Sequence, residues 1–141
     1  MATVEQTLLK VQRILTGPLG LRIQFDGDTI SVGFSDASTR VHFGVYDWGT
    51  NRDGEPRTLV RVSAPILWEV RPTTELYERV AREGGGYFFG HVMVRDDEAG
   101  TVYLMMSHTL LGDYLDAPEL EAAMWGVLGT ADGLDDQLQA R

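Results

Sequence analysis

Residues 87–111, YFFGHVMVRDDEAGTVYLMMSHTLL, read as a β-hairpin with apolar groups on both of its faces. Strand residues point alternately to the two sides of a sheet, so one apolar face per strand is expected in an acidic domain. With Val94 placed opposite Val102, one face collects Phe88, Val92, Val94, Val102, Leu104 and Met106. The other collects Tyr87, Phe89, His91, Met93, Tyr103 and Met105. The first set reads as core. The second is packed inside the molecule, is a dimer seam, or is a surface for a partner peptide, because Met-bearing patches adapt to apolar groups of varied shape.

Working outward, RPTTELYERVAREGGG (71–86) reads as a short helix. Thr73 or Thr74 caps it, Leu76, Tyr77, Val80 and Ala81 form its stripe, and three glycines stop it. Before it, Val60, Val62, Ala64, Ile66, Trp68 and Val70 alternate as a strand, with Pro65 on the opposite parity. Proline has no N–H for a ladder, so this strand is expected at an edge or bulged near Pro65.

Further upstream, Leu19, Leu21, Ile23 and Phe25, then Ile30, Val32 and Phe34 after the turn-prone DGD, form a tight hairpin. A second turn at SDAST (35–39) leads into Val41, Phe43 and Val45, followed by the polar loop DWGTNRDGEPR. At the N-terminal end, Thr3 and Gln6 fit a capping box, and Val4, Leu8, Val11 and Leu15 share one helical face until Gly17 and Pro18 break it. At the other end, Asp116 and Glu119 form a second capping box. Leu120, Met124, Val127, Leu128, Ala131 and Leu138 then follow helical spacing, with Leu134 near the seam. The elements condense to α-β-β-β-α-β-β-α, an α+β fold with one antiparallel sheet packed with helices, in a single domain over 1–141.

Composition narrows the function. The 141 residues are 43% hydrophobic, long enough for a core without staples. No apolar run approaches a membrane span, and MATVEQTLLK lacks the basic start and apolar middle of a signal peptide, so a cytoplasmic home without membrane contact is expected. With no cysteine, disulfides, thiol catalysis and cysteine-ligated zinc are excluded. Net charge is −9, and Gly112–Ala140 holds seven acidic residues and no Lys or Arg. Nucleic acid is therefore an unsuitable partner. The eleven arginines against one lysine carry no motif.

Catalytic signatures are missing. His42, His91 and His108 fall in separate strands, with His91 on the second hairpin face and His108 on the core face, so they do not converge as metal ligands or acid–base groups. Asp132, Asp135 and Asp136 share a helical face but read as a solvated acidic helix end. RDDEAGT lacks the ligand alternation of a calcium loop, and EGGGY follows a helix where a phosphate loop follows a strand. The serines lack a nucleophile elbow. No enzyme and no cofactor are expected.

The element order, APILWEV (64–70) running directly into TTELYERVARE (73–83), and GTADGLDDQL (129–138) closing the last helix resemble the YbjN-like proteins and the type III secretion chaperones of the CesT class. The resemblance spans residues 4 to 138. It implies a small, acidic, bacterial, cytoplasmic homodimer, with the middle helix at the dimer contact and a client's extended segment on apolar grooves of sheet and first helix. The expected function is thus chaperone-like protein or peptide binding without catalysis. Phe89, Met93, Tyr103 and Met105 are the candidates for client or dimer contact, Leu76, Tyr77 and Val80 for the dimer, and Leu8 and Leu15 for the client. Client backbone added to an exposed edge at the Pro65 strand would suit this role. The alternative is a small regulatory domain that senses a ligand in a pocket walled by Trp48, Trp68 and Trp125.

Overall fold

A computed structural model describes residues 3–34 and 40–139, with side chains described as far as Gln137. The turn expected at 35–39 and the side chain of Leu138 lie outside the described residues. The elements are α1 (Val4–Thr16), β1 (Gln24–Asp26), β2 (Thr29–Gly33), β3 (Arg40–Thr50), β4 (Pro56–Val70), α2 (Thr74–Glu83), β5 (His91–Asp96), β6 (Val102–Leu111) and α3 (Ala117–Gln139). This is the α+β class expected, with six strands where the condensed order had five, because both arms of the hairpin around Gly27 form strands, β1 and β2. Leu19, Leu21 and Ile23 precede β1 and pack on the core instead of pairing.

All neighbouring strands are antiparallel, in the order β1-β2-β3-β4-β6-β5. Helices α1 and α3 cover one face. Between them and the sheet lie Val11, Leu15, Phe43, Val60, Val62, Met106, Leu120, Met124 and Val127, all fully buried. Each large side chain so buried contributes about 1.5–3 kcal/mol of transfer free energy. Both halves of the first capping box form: the Gln6 amide donates to Thr3 Oγ1 at 3.2 Å and the Thr3 amide donates to Gln6 Oε1 at 3.0 Å. The inward stripe of α1 is Thr7, Val11, Ile14 and Leu15, and Val4 at its start is exposed. Thr7 is tolerated there because its hydroxyl meets that of Thr58 on β4 at 2.7 Å. At α3 the Glu119 amide donates to Asp116 Oδ1 at 2.9 Å.

Three strand expectations change. The hairpin register is Val94 opposite Leu104 and Asp96 opposite Val102. It is set by a tighter turn, in which the Asp97 amide donates to the Thr101 carbonyl at 2.9 Å and Gly100 takes φ +81°. A slip of two residues preserves every side chain's face, so the face assignment within the strands stands. Second, β4 lies between β3 and β6, so Pro65 is not on an edge; the edges are β1 and β5. The chain accommodates Pro65 by bulging, with register shifts between Pro65 and Leu67 and between Leu67 and Val70, and with Glu69 at φ +54°. Third, those bulges invert the parity of the strand's end. Leu67 packs toward the core, while Trp68 is 60% exposed on the other side.

Candidate functional site

The sheet face opposite α1 and α3 carries the second apolar set of the hairpin. Met93 on β5 is directly opposite Met105 on β6, which is opposite Pro65 on β4. Beside them Trp68 stacks on Tyr103, with ring centroids 4.8 Å apart and planes tilted 29°. Met93, Tyr103 and Met105 are half-buried. Three of the candidates from the hairpin thus converge on one open face.

Phe89 does not join them. Strand β5 begins only at His91, and Gly90 with φ +92° turns the chain just before it, so the alternation cannot be extended back through residues 87–89. Phe89 instead lies on the helix side, its ring centroid 5.6 Å from that of His108 in an edge-on arrangement and close against Gly126 of α3. Tyr87 packs on the core, and Phe88, expected there, is fully solvent-exposed.

A polar row crosses the open face next to the methionines. Pairing is continuous from Gln24 to Ser31, His42, Ser63, Ser107 and His91, one residue from each of the six strands. Three members of the row, His42, Ser63 and Ser107, floor a hollow of about 280 Å³ that is also lined by Asp26, Tyr46, Arg61, Met93, Arg95, Tyr103 and Met105, while Ser31 accepts from the Arg40 guanidinium at 3.2 Å. Ser107 is 1% exposed, and its Oγ has no hydrogen-bond partner. The Arg61 guanidinium sits 5.2 Å from the centre of the Tyr46 ring. Burial lowers the pKa of His42, Arg40 beside it lowers it further, and Asp26 opposes both. A neutral imidazole offers one donor and one acceptor to a polar partner. On the helix side, burial and then His91 lower the pKa of His108, against an opposing effect of Glu119.

The remaining candidates fall elsewhere. Leu15 has no exposed surface because it sits at the centre of the inward stripe of α1, so it is core and not client surface; Leu8 is half-buried against that core. Helix α2 has no buried residue. Its Leu76 and Val80 are half-buried over a crevice with Ile66, Tyr87, Val92, Leu104 and Leu134, and Tyr77 is exposed. The three tryptophans do not share a pocket: Trp48 borders a hollow with Asn51, Arg57 and Leu111, Trp68 is on the open face, and Trp125 meets Phe34 at 5.0 Å. Among the described residues, no three His, Asp or Glu side chains are grouped as a metal set, and no helix is long and apolar enough to cross a membrane.

Sequence reasoning did not find His42, Arg61, Ser63 and Ser107 as neighbours. Parity within each strand put them on one side, but the registers that align them depend on long-range pairing.

The profile of the family described as T3SS (YopN, CesT) and YbjN peptide-binding chaperone 1 matches residues 10–141. No curated protein matches the sequence. A chain in the crystal structure of the ExsC–ExsE complex is similar in fold, with a TM-score of 0.62 over 96% of each chain and 17% identity.

Proposed function

The chain belongs to the family of type III secretion (YopN, CesT) and YbjN peptide-binding chaperones, and we propose that it holds an extended client segment on the open face of its sheet, without catalysis, in the cytoplasm. The observation that carries this reading is the Met93–Met105 pair beside the stacked Trp68 and Tyr103 on a face that α1 and α3 leave uncovered. Flexible thioethers and aromatic rings with polar tips suit clients of varied sequence. The family is one of peptide-binding chaperones, and the structural relative was solved as a complex of ExsC with ExsE. By analogy the client here is a protein or peptide. Strand β5 is an edge whose outer side is occupied at its start, where the Val92 amide donates to the Gly84 carbonyl at 2.8 Å, so client backbone would extend the sheet beyond that point, along Val94 to Asp96. A ligand-sensing role is less well supported, because the three tryptophans that would wall its pocket are dispersed over separate parts of the surface.

The test is capture from lysate of the native host by wild type and by Met105→Lys, followed by hydrogen exchange on each complex recovered. A client that is held by wild type, lost with the variant and protected over one short segment is the expected result. A client that the variant retains overturns the assignment to this face.

We also propose a homodimer through α2, where Leu76, Tyr77 and Val80 form a stripe that the monomer leaves incompletely covered. Val80→Glu is expected to convert a dimer to monomer in sedimentation velocity with little change in secondary structure. A dimer that persists in Val80→Glu, or a monomeric wild type, rejects this interface.

A further inference from the structure

Resting on the reading above, the geometry points to a specific kind of client: we propose that the open face takes an acidic, extended segment of about seven residues that crosses the strands along the Gln24–Ser31–His42–Ser63–Ser107–His91 row. Six strands spaced about 4.8 Å apart span about 24 Å, which an extended chain covers in about seven residues. A segment standing edge-on over the row presents its backbone groups to it. There Ser107 Oγ, 1% exposed and without a hydrogen-bond partner, is positioned to pair with such a group.

Side chains of that segment point alternately to the two flanks of the row. On one flank Arg61 is opposite Thr109, and on the other Met105 is opposite Met93. Acidic groups therefore fit Arg61 on the first flank, whose far end on β1 holds Asp26, and Arg95, which lies beyond Met93 on the second flank; apolar groups fit the methionines beside the row.

Charge supports this choice. In a chain of net charge −9, the hollow is lined by Arg61 and Arg95 against the single carboxylate of Asp26. Among the described residues, neither arginine has an ion pair. At physiological ionic strength, charges farther than about 8 Å are largely screened, so the lining outweighs the acidic remainder of the surface in choosing a partner.

The experiment uses the full chain with ¹³C-methyl methionine and two synthetic heptapeptides, one alternating Glu with Leu and Phe, the other with Lys in place of every Glu. The expected result is that the Glu peptide shifts the Met93 and Met105 methyl signals, leaves those of buried Met106 and Met124 in place, and binds about tenfold more tightly than its Lys twin, a difference that Arg61→Glu or Arg95→Glu abolishes. Equal or tighter binding of the Lys twin at the same methyls overturns the acidic preference while leaving the peptide-holding face intact. Shifts of Met93 and Met105 that follow protein concentration without peptide mean that a second copy occupies the face, and overturn the proposal. No shift with either peptide overturns both this proposal and the assignment of clients to the sheet face.

Discussion

Met106→Lys unfolds or severely destabilises the chain, whereas Met105→Lys, one residue away, leaves a cooperative thermal transition close to that of wild type. The two methionines are adjacent on β6 and point to opposite faces. Met106 has no exposed surface and lies in the layer with Phe43, Val62 and Met124. A lysine there brings an ammonium group into an apolar core without a carboxylate, a change that costs about 4 kcal/mol or more. That is from about a quarter to most of the roughly 5–15 kcal/mol by which a domain is stable. Met105 is half-buried on the open face, so a lysine there lays its stem over Tyr103 and keeps its charge in water, costing about 1 kcal/mol or less. Thermal unfolding followed by circular dichroism reads both variants. Equal losses would mean that the open face is covered in solution and packs as a second core.

That pair of residues also shows how far the sequence could be read. Period-2 alternation placed Met93, Tyr103 and Met105 on one side and Leu104 and Met106 on the other, and a register error of two residues left those faces intact. The capping boxes, the glycine stops and the helix stripes are local, and they were legible for the same reason: each depends on residues within about one turn of one another. What failed was non-local. Pro65 signalled a disturbance in the ladder, but an edge and a bulge both satisfy a missing N–H, and only the pairing of β4 with β3 and β6 distinguishes them. The bulges then took Trp68 off the face it was expected to share with Val62, Ala64 and Ile66 and made it an exposed partner of Tyr103. The polar row was hidden for the same reason, because it takes one residue from each of six strands and exists only once five registers are fixed.

The face and the two sheet edges make separable contributions to binding. Side chains on the face set which client is accepted, while the outer backbone of β5 beyond Val92 can add a strand whatever the client's sequence. Strand β5 is short, and α2 packs beside it. The same edge therefore links the proposed dimer contact to the client surface, and a change at the start of β5 is felt at both.

Gly90→Ala is that change, and it is expected to cost about 3–5 kcal/mol while Gly85→Ala costs about 0.5 kcal/mol or less. At Gly90 the backbone has φ +92°, a region in which a residue with a Cβ is strained by about 1–3 kcal/mol. An added Cβ would also collide with the Ser107 carbonyl oxygen and lie 2.9 Å from its carbon. Those atoms belong to the central part of β6, paired on one side with β4 and on the other with β5, so they cannot move aside without breaking a ladder. The chain must shift at Gly90 instead. The first casualty is Phe89, whose ring is held between His108 and Gly126. The second is the pairing of His91 with Ser107, which ends the polar row. Gly85, two residues beyond α2, has open space where a Cβ would go and an ordinary φ, so the same substitution meets nothing there. Thermal unfolding gives the stability difference, and hydrogen exchange locates it: amides of β5 should exchange faster in Gly90→Ala than in wild type, with those of β3 little changed. If both glycine variants melt alike, the turn at Gly90 does not set the start of β5, and Phe89 is free to reach the open face as the sequence alone suggested.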